Sequence, residues 1–179
     1  MNYHILAFLL AVVATTISAD KPPELNDLRN ALDKNDKIWM AARNYYWSKK
    51  ENEAHKCVYV EKVSLTENNY EFIQHFQRGE ETVKRHLHGV LSKGTGEGPV
   101  LTVTEKEGNV GINYTLRLWD ASKNCGFLTF PRQGGENCEL HVGKDGLPKP
   151  PAQNFPCDEH YQRICGRDRH PVYTSDCPS

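Results

Sequence analysis

The sequence lacks a surplus of either charge, because 22 Lys and Arg residues are matched by 23 Asp and Glu residues over 179 positions. A chain without a basic excess has no electrostatic reason to bind nucleic acid or an anionic membrane. Beyond residue 20 it also lacks a long apolar run, so no membrane span is predicted. Apolar residues make up 38% and charged residues 25%, which is typical of a folded globular domain.

The one continuous apolar run, Ile5–Val13, lies at the start of the chain and is followed by small and polar residues up to Ala19. It is too short to cross a bilayer, which needs about 20 apolar residues. A short apolar core with a small residue before the cut is typical of a secretory signal peptide. We therefore predict a signal peptide over residues 1–19, a secreted protein, and a single domain over residues 20–179.

Cysteine pairs separated by two residues are absent, which argues against a zinc ribbon and against a thioredoxin-like redox site. The six cysteines are even in number, and secretion would place them in an oxidising compartment. Three disulfides and no free thiol are therefore expected. Six cysteines allow 15 pairings, and sequence alone does not choose among them.

Segments with a period of two and many aromatic or β-branched residues recur about every ten positions. They are Ile38–Trp47, Lys56–Leu65, Tyr70–Gln77, Thr82–Leu91, Pro99–Glu105, Gly111–Trp119, Gly126–Phe130 and Cys138–Val142. Apolar residues at helical spacing predict a helix over Glu24–Lys34, and a second short helix is predicted over Cys157–Cys165. Helices that flank eight strands favour an all-β fold, either an antiparallel sandwich or a closed up-and-down barrel.

The triplet Asn113-Tyr114-Thr115 is an N-glycosylation sequon. A glycan on Asn113 requires this residue to face solvent. Because side chains alternate along a strand, Tyr114, Leu116 and Leu118 would then face the interior. An eight-stranded barrel either fills its interior with such side chains or holds one small ligand there.

Recognisable catalytic motifs are missing. The glycine-bearing loop at residues 93–98 lacks the Gly-Lys-Ser/Thr ending of a phosphate loop and is interpreted as a hairpin loop. His86 and His88 share a strand face and could ligate a metal, but spacing identifies no third ligand. No nucleophile elbow or acid–base pair is present. We therefore expect no enzyme activity, no cofactor and no metal site.

The surroundings of the cysteines carry a family resemblance. They are Lys56-Cys57-Val58-Tyr59-Val60, Leu118-Trp119-Asp120-Ala121-Ser122-Lys123-Asn124-Cys125, Asn137-Cys138-Glu139-Leu140, Pro156-Cys157 and Val172-Tyr173-Thr174-Ser175-Asp176-Cys177. Over the whole mature chain the sequence resembles the tick salivary lipocalins, the group that includes the histamine-binding proteins. The resemblance implies an eight-stranded antiparallel up-and-down lipocalin barrel and a secreted monomer. It also implies the disulfides Cys57–Cys177, Cys125–Cys157 and Cys138–Cys165.

In this family the ligand lies inside the barrel. The resemblance implies that amine-binding members carry an acid directly after the cysteine that matches Cys125, and here that position is Gly126. Glu139-Leu140 matches a second acidic element, with His141 in place of the family's aromatic residue. An amine cation needs buried carboxylates, so the loss of acids favours a hydrophobic ligand such as a sterol, fatty acid or eicosanoid.

The candidate ligand-binding residues combine the sequon argument, strand parity and the resemblance. They are Trp39, Tyr45, Phe72, Phe76, Tyr114, Leu116, Leu118, Leu128, Phe130, Glu139 and His141. Glu139 and His141 would contact a polar head, and lipid capture would modulate host immune or inflammatory responses. Two alternatives remain: a scavenger of amines such as histamine or serotonin, and a protein that binds host immune cells or proteins through its outer loops.

Overall fold

The structure is a computed structural model that describes residues 21–46, 48, 54–106, 109–132, 134–148 and 154–178. The predicted signal peptide at residues 1–19 lies outside the described residues. The helices are α1 (Leu25–Leu32) and α2 (Asp158–Cys165), with a single 3-10 turn at Lys144–Gly146. The strands are β1 (Ile38–Arg43), β2 (His55–Leu65), β3 (Asn69–Arg78), β4 (Glu81–Ser92), β5 (Val100–Thr104), β6 (Ile112–Asp120), β7 (Cys125–Arg132), β8 (Gly135–Gly143) and β9 (His170–Pro171).

Strands β1 to β8 form a closed barrel. Strands β2 to β8 pair antiparallel in the order of the chain, and β1 closes the ring by pairing with both β8 and β2. The short strand β9 adds to the end of β1 through Ala42 and Arg43. The predicted eight-stranded up-and-down lipocalin barrel is therefore confirmed, and the sandwich is excluded. Neither α-helix among the described residues combines the length and hydropathy needed to span a bilayer.

Helix α1 covers one end of the barrel. Its N-terminus is fixed by the backbone N–H of Glu24, which donates to Oδ2 of Asp27 at 2.7 Å. Leu28 and Leu32 are buried in a cluster that lies inside the barrel. This cluster also contains Tyr70, Phe72, Leu87, Leu91, Leu101 and Leu116. The period of 3.6 in α1 thus gives one apolar face, and that face seals the interior.

Helix α2 lies on the outer wall of the barrel. Tyr161 packs edge-on against Phe127 of β7, with ring centroids 6.1 Å apart. Two disulfides join this region to the wall: Cys125–Cys157 reaches β7 and Cys138–Cys165 reaches β8. A third disulfide, Cys57–Cys177, joins β2 to the C-terminal segment. All three pairings are those that the resemblance implied, and no free cysteine is found in the described residues.

Among the register shifts of the barrel, which also occur between β2 and β3, two β-bulges affect the predicted cavity residues on β1 and β6. The β1–β8 register shifts between Met40 and Ala42, and the β6–β7 register shifts between Leu116 and Leu118. A bulge adds one residue to one strand, so the alternation of inward and outward side chains reverses beyond it. This reversal decides which side chains line the cavity.

Candidate ligand-binding site

A cavity of about 200 Å³ lies inside the barrel. Seven of the eleven sequence-predicted residues line it, namely Tyr45, Phe72, Tyr114, Leu116, Leu128, Glu139 and His141. The volume is below the range of about 300–1,000 Å³ that is typical of small-molecule sites. The cavity as it stands therefore suits a small ligand, and a larger one requires the wall to move.

Trp39 and Leu118 lie outside the cavity wall, and the bulges explain why. Trp39 and Tyr45 have the same parity in the sequence, but the bulge after Met40 leaves only Tyr45 facing inward. Trp39 instead packs outside the barrel, with its ring 4.6 Å from Tyr59 and near the Cys57–Cys177 disulfide. The prediction that these residues line the cavity is therefore not met by the geometry.

On β6 the bulge turns Leu118 toward the outer cluster under α2 and brings Trp119 into the cavity wall. The sequence parity predicted the reverse arrangement for these two residues. The cavity is therefore lined by the indole ring of Trp119 and not by the side chain of Leu118.

Phe76 and Phe130 keep the inward parity, but other side chains lie between them and the cavity. The ring of His55 stacks on Phe76 at 3.9 Å. The rings of Tyr45 and Tyr114 contact Phe130 at 5.5 and 4.8 Å. Both phenylalanines therefore support the wall from behind.

The cavity end beneath α1 carries no charged side chain among the described lining residues. Leu28, Leu32 and Leu101 supply apolar surface there. Tyr70 Oη and Trp119 Nε1 are buried without a hydrogen-bond partner among the described residues. This end is thus an apolar chamber with two uncharged donors.

The polar part of the cavity wall, here called the polar end, centres on Glu139. This carboxylate is only 3% exposed and accepts a short hydrogen bond from the hydroxyl of Tyr45. Nε2 of His141 lies 2.9 Å from the other carboxylate oxygen. Glu139 and His141 therefore share one face, as predicted, and form a single hydrogen-bonded group with Tyr45.

Two arginines at the polar end were not among the sequence-predicted residues. Arg43 is buried directly across the strand pair from Glu139, and its Nη2 donates to the carbonyl oxygen of His55 at 3.2 Å. The Nε of Arg43 has no hydrogen-bond partner among the described residues. Arg85 pairs with Glu105 at 3.0 Å. A charged residue in the otherwise apolar β1, with the same parity as Tyr45, was the available signal for Arg43.

Burial and charge shift the protonation of this end. Burial, reinforced by Arg43 and Arg85, lowers the pKa of His55 to about 4, so its imidazole is neutral at pH 7. Burial and the nearby Glu139 carboxylate raise the pKa of Tyr45 and Tyr114 well above the ordinary range. Both hydroxyls therefore remain hydrogen-bond donors at physiological pH.

Asn113 lies on the outer face of β6 and is exposed. Its side-chain oxygen accepts a hydrogen bond from the hydroxyl of Thr102 at 2.9 Å. The predicted outward direction of Asn113 is confirmed, and glycosylation of this residue stays a prediction.

Comparisons with known proteins agree with this architecture. Among solved structures, the chain is similar to Japanin from Rhipicephalus appendiculatus bound to cholesterol, with a TM-score of 0.55 and 16% sequence identity. The similarity covers 82% of this chain and 97% of that one. At this identity the likeness bears on the fold alone. No curated protein sequence matches the chain significantly.

The family comparison reaches further, because it covers almost the entire described chain. The sequence profile described as tick histamine binding protein matches residues 18–179. This range includes all eight barrel strands, both helices and all six cysteines. The chain therefore belongs to the tick histamine binding protein family, a group of lipocalins.

Proposed function

We propose that this protein is a secreted lipocalin that binds a hydrophobic ligand with a hydroxyl or carboxylate head and thereby modulates host immune or inflammatory responses. A fatty acid, an eicosanoid or a sterol has this chemistry. The observation that carries the proposal is a cavity lined both by the apolar cluster under α1 and by an ionisable group around Arg43 and Glu139. A ligand with an apolar tail and a polar head matches both ends at once.

The charges at the polar end favour a neutral or anionic head. A protonated amine would need a buried carboxylate whose charge is free to balance its own. Glu139 already accepts from Tyr45, and the cationic Arg43 lies across the strand pair from it. Arg43 repels a bound cation and attracts a carboxylate.

The close packing around Gly126 also argues against an amine ligand. A β-carbon at this position would lie 2.7 Å from the carbonyl oxygen of Leu118 and 3.0 Å from the ring of Trp119. An acid at this position, which the family resemblance assigns to amine binders, would therefore require both the β6 backbone at Leu118 and the Trp119 ring to move. The lining as it stands uses that space for the indole.

Two observations favour an amine as the second candidate. The cavity of about 200 Å³ is small. In addition, Tyr45 and Tyr114 lie near the buried Glu139, and aromatic faces attract cations. The two candidates differ in the residue that each depends on: Arg43 for an acidic head and Glu139 for an amine.

The test measures retained and added ligands with matched variants. Organic extraction and native mass spectrometry of the secreted protein identify any retained lipid. A long-chain fatty acid, cholesterol and histamine are then titrated into wild type, Arg43→Met and Glu139→Gln, with Arg132→Met on the exposed end of β7 as the control. Near-UV circular dichroism confirms that each variant is folded.

We expect Arg43→Met to weaken fatty-acid binding by about 10-fold to 100-fold, since a charge-assisted hydrogen bond contributes about 1.5–3 kcal/mol. Arg132→Met should leave it unchanged. Tight histamine binding that is lost in Glu139→Gln, together with no binding of fatty acid or cholesterol, would overturn the proposal in favour of the amine.

A further inference from the structure

The outer wall of the barrel carries a group of three metal-ligating side chains. Glu71 lies on β3, and His86 and His88 lie on β4. The strand register places Glu71 directly opposite His88, while His86 is opposite Ile73, two residues further along β3. One direct and one diagonal cross-strand pair therefore bring all three side chains together on one face.

Their potential ligand atoms are already close to a coordinating arrangement. Nε2 of His86 lies 3.1 Å from Oε1 of Glu71, and Nδ1 of His88 lies 3.9 Å from the same oxygen. One ligand atom from each of the three residues falls within 4.8 Å of the others. In a tetrahedral zinc site with bonds of about 2.0–2.2 Å, ligand atoms are about 3.3–3.6 Å apart. Small side-chain rotations close the remaining difference.

We propose that Glu71, His86 and His88 form a binding site for zinc or a similar borderline divalent cation. Two imidazoles and one carboxylate are a donor set that zinc accepts, with water in the fourth position. Such a set suits hard cations such as Mg²⁺ poorly, because those prefer oxygen ligands throughout. The side chains are partly exposed, so the cation and its water have access from solvent.

The site is separate from the ligand cavity but mechanically connected to it. Leu87 lies between the two histidines and faces the interior, where it lines the cavity. The hydroxyl of Ser64 on β2 lies 3.4 Å from Oε2 of Glu71 and can orient the carboxylate through the oxygen that the histidines leave free. A bound cation would therefore crosslink β3 and β4 behind the cavity wall.

The experiment titrates ZnCl₂ into metal-free protein by isothermal titration calorimetry. Wild type is compared with His86→Ala, His88→Ala and Glu71→Gln. The matched control is His160→Ala, because His160 has a single acidic neighbour, Glu159 at 3.6 Å, and belongs to no three-residue group in the described part of the chain. MgCl₂ serves as the second probe.

We expect one zinc ion per chain for wild type and His160→Ala, and a loss of affinity of about tenfold or more for each of the three site variants. Even indirect ligand partners are worth about 10–100-fold in metal affinity, so a direct ligand is worth at least that much. Zinc should also raise the melting temperature of wild type but not of the site variants, because a cation that binds only the folded state stabilises it.

Equal zinc affinity in wild type and His88→Ala would overturn the proposal, as would the absence of zinc binding at 100-fold molar excess. Equal affinity for Mg²⁺ and Zn²⁺ would also overturn it, since that result indicates carboxylate binding elsewhere. The site variants change outer-face residues that are exposed or half-buried and leave the barrel core intact, so a loss of zinc binding with unchanged circular dichroism reports on the site itself.

Discussion

Helices α1 and α2 each cover an apolar cluster, but on opposite sides of the same barrel wall. Helix α1 closes the interior cluster around Leu28 and Leu32 and forms part of the ligand cavity. Helix α2 covers the outer cluster and is tied to β7 and β8 by Cys125–Cys157 and Cys138–Cys165. The sequence of α1 contains no cysteine.

The difference indicates how the molecule divides stability from binding. The two disulfides in the outer cluster hold strands β7 and β8 in place covalently. The inner cluster is held by side-chain packing and a few polar contacts, such as Arg29 Nε donating to the carbonyl oxygen of Glu67 at 2.9 Å. Packing can adjust to a ligand without breaking a bond, so we expect changes in cavity volume to occur on the α1 side.

The largest effect should come from removing a disulfide of the α2 region. The double change Cys138→Ala and Cys165→Ala opens a loop with a sequence separation of 27 and should lower the free energy of unfolding by about 3–4 kcal/mol. Ligand affinity should stay within about twofold of wild type, because neither cysteine lines the cavity. Urea unfolding and ligand titration measure the two quantities. A large loss of affinity at full folding would break the proposed division.

A smaller stability effect with a larger binding effect should follow from Leu28→Ala. Leu28 is fully buried and lines the cavity, so its truncation should cost about 2–3 kcal/mol of unfolding free energy and weaken ligand binding. Ile164→Ala in the partly buried rim of the outer cluster is the control. If both variants change binding equally, α1 has no special relation to the cavity.

The polar end of the cavity should make stability depend on pH. The folded-state pKa of His55 is about 4, below its ordinary value of 6.5, so the unfolded chain binds the proton more readily between these values. The free energy of unfolding should therefore fall as the pH drops from about 6.5 to about 4. His55→Phe keeps a ring against Phe76 and should flatten this part of the profile. Urea unfolding at pH 7 and pH 4.5 checks the difference between variant and wild type.

The smallest effect is expected on the exposed outer face. Asn113→Gln should change the free energy of unfolding by no more than about 0.5 kcal/mol. In protein secreted from eukaryotic cells it should also remove the mass of one glycan. An unchanged mass would contradict the sequon prediction while leaving the outward direction of Asn113 intact.

The strands and helices could be predicted from the sequence because each has a clear period and a breaker at its ends. The eight predicted strands all overlap observed ones, and the predicted Cys157–Cys165 helix matches α2 closely. Glycine or proline does not occur at either bulge, where Ala41 and Arg117 are the residues that the register skips. On β6 the parity argument was correct up to the bulge and failed after it, whereas on β1 it failed for Trp39 before the bulge and was correct for Tyr45 after it.

The prediction of the cavity residues has the same limit, because it also rests on parity. Leu116 was correctly placed by parity, since no bulge separates it from the reference Asn113. Leu128 was placed from the inward direction that the resemblance implied for Gly126, and it lies directly opposite Leu116. Arg43 shares the inward parity of Tyr45 but was missed, because the candidates in this segment were chosen among aromatic residues. Which charged residues lie opposite each other depends on the register between two strands, and the sequence of one strand does not determine that register.

The Cys57–Cys177 disulfide affects what happens when a protease cleaves the chain. It encloses a stretch with a sequence separation of 120, which includes seven of the eight barrel strands for almost their whole length. A single peptide-bond cleavage anywhere within that stretch leaves both fragments covalently joined, and the barrel hydrogen bonds can keep them assembled. A nicked molecule would migrate as one species on a non-reducing gel and as two after reduction. A barrel with this topology can lose backbone continuity and still keep its interior enclosed.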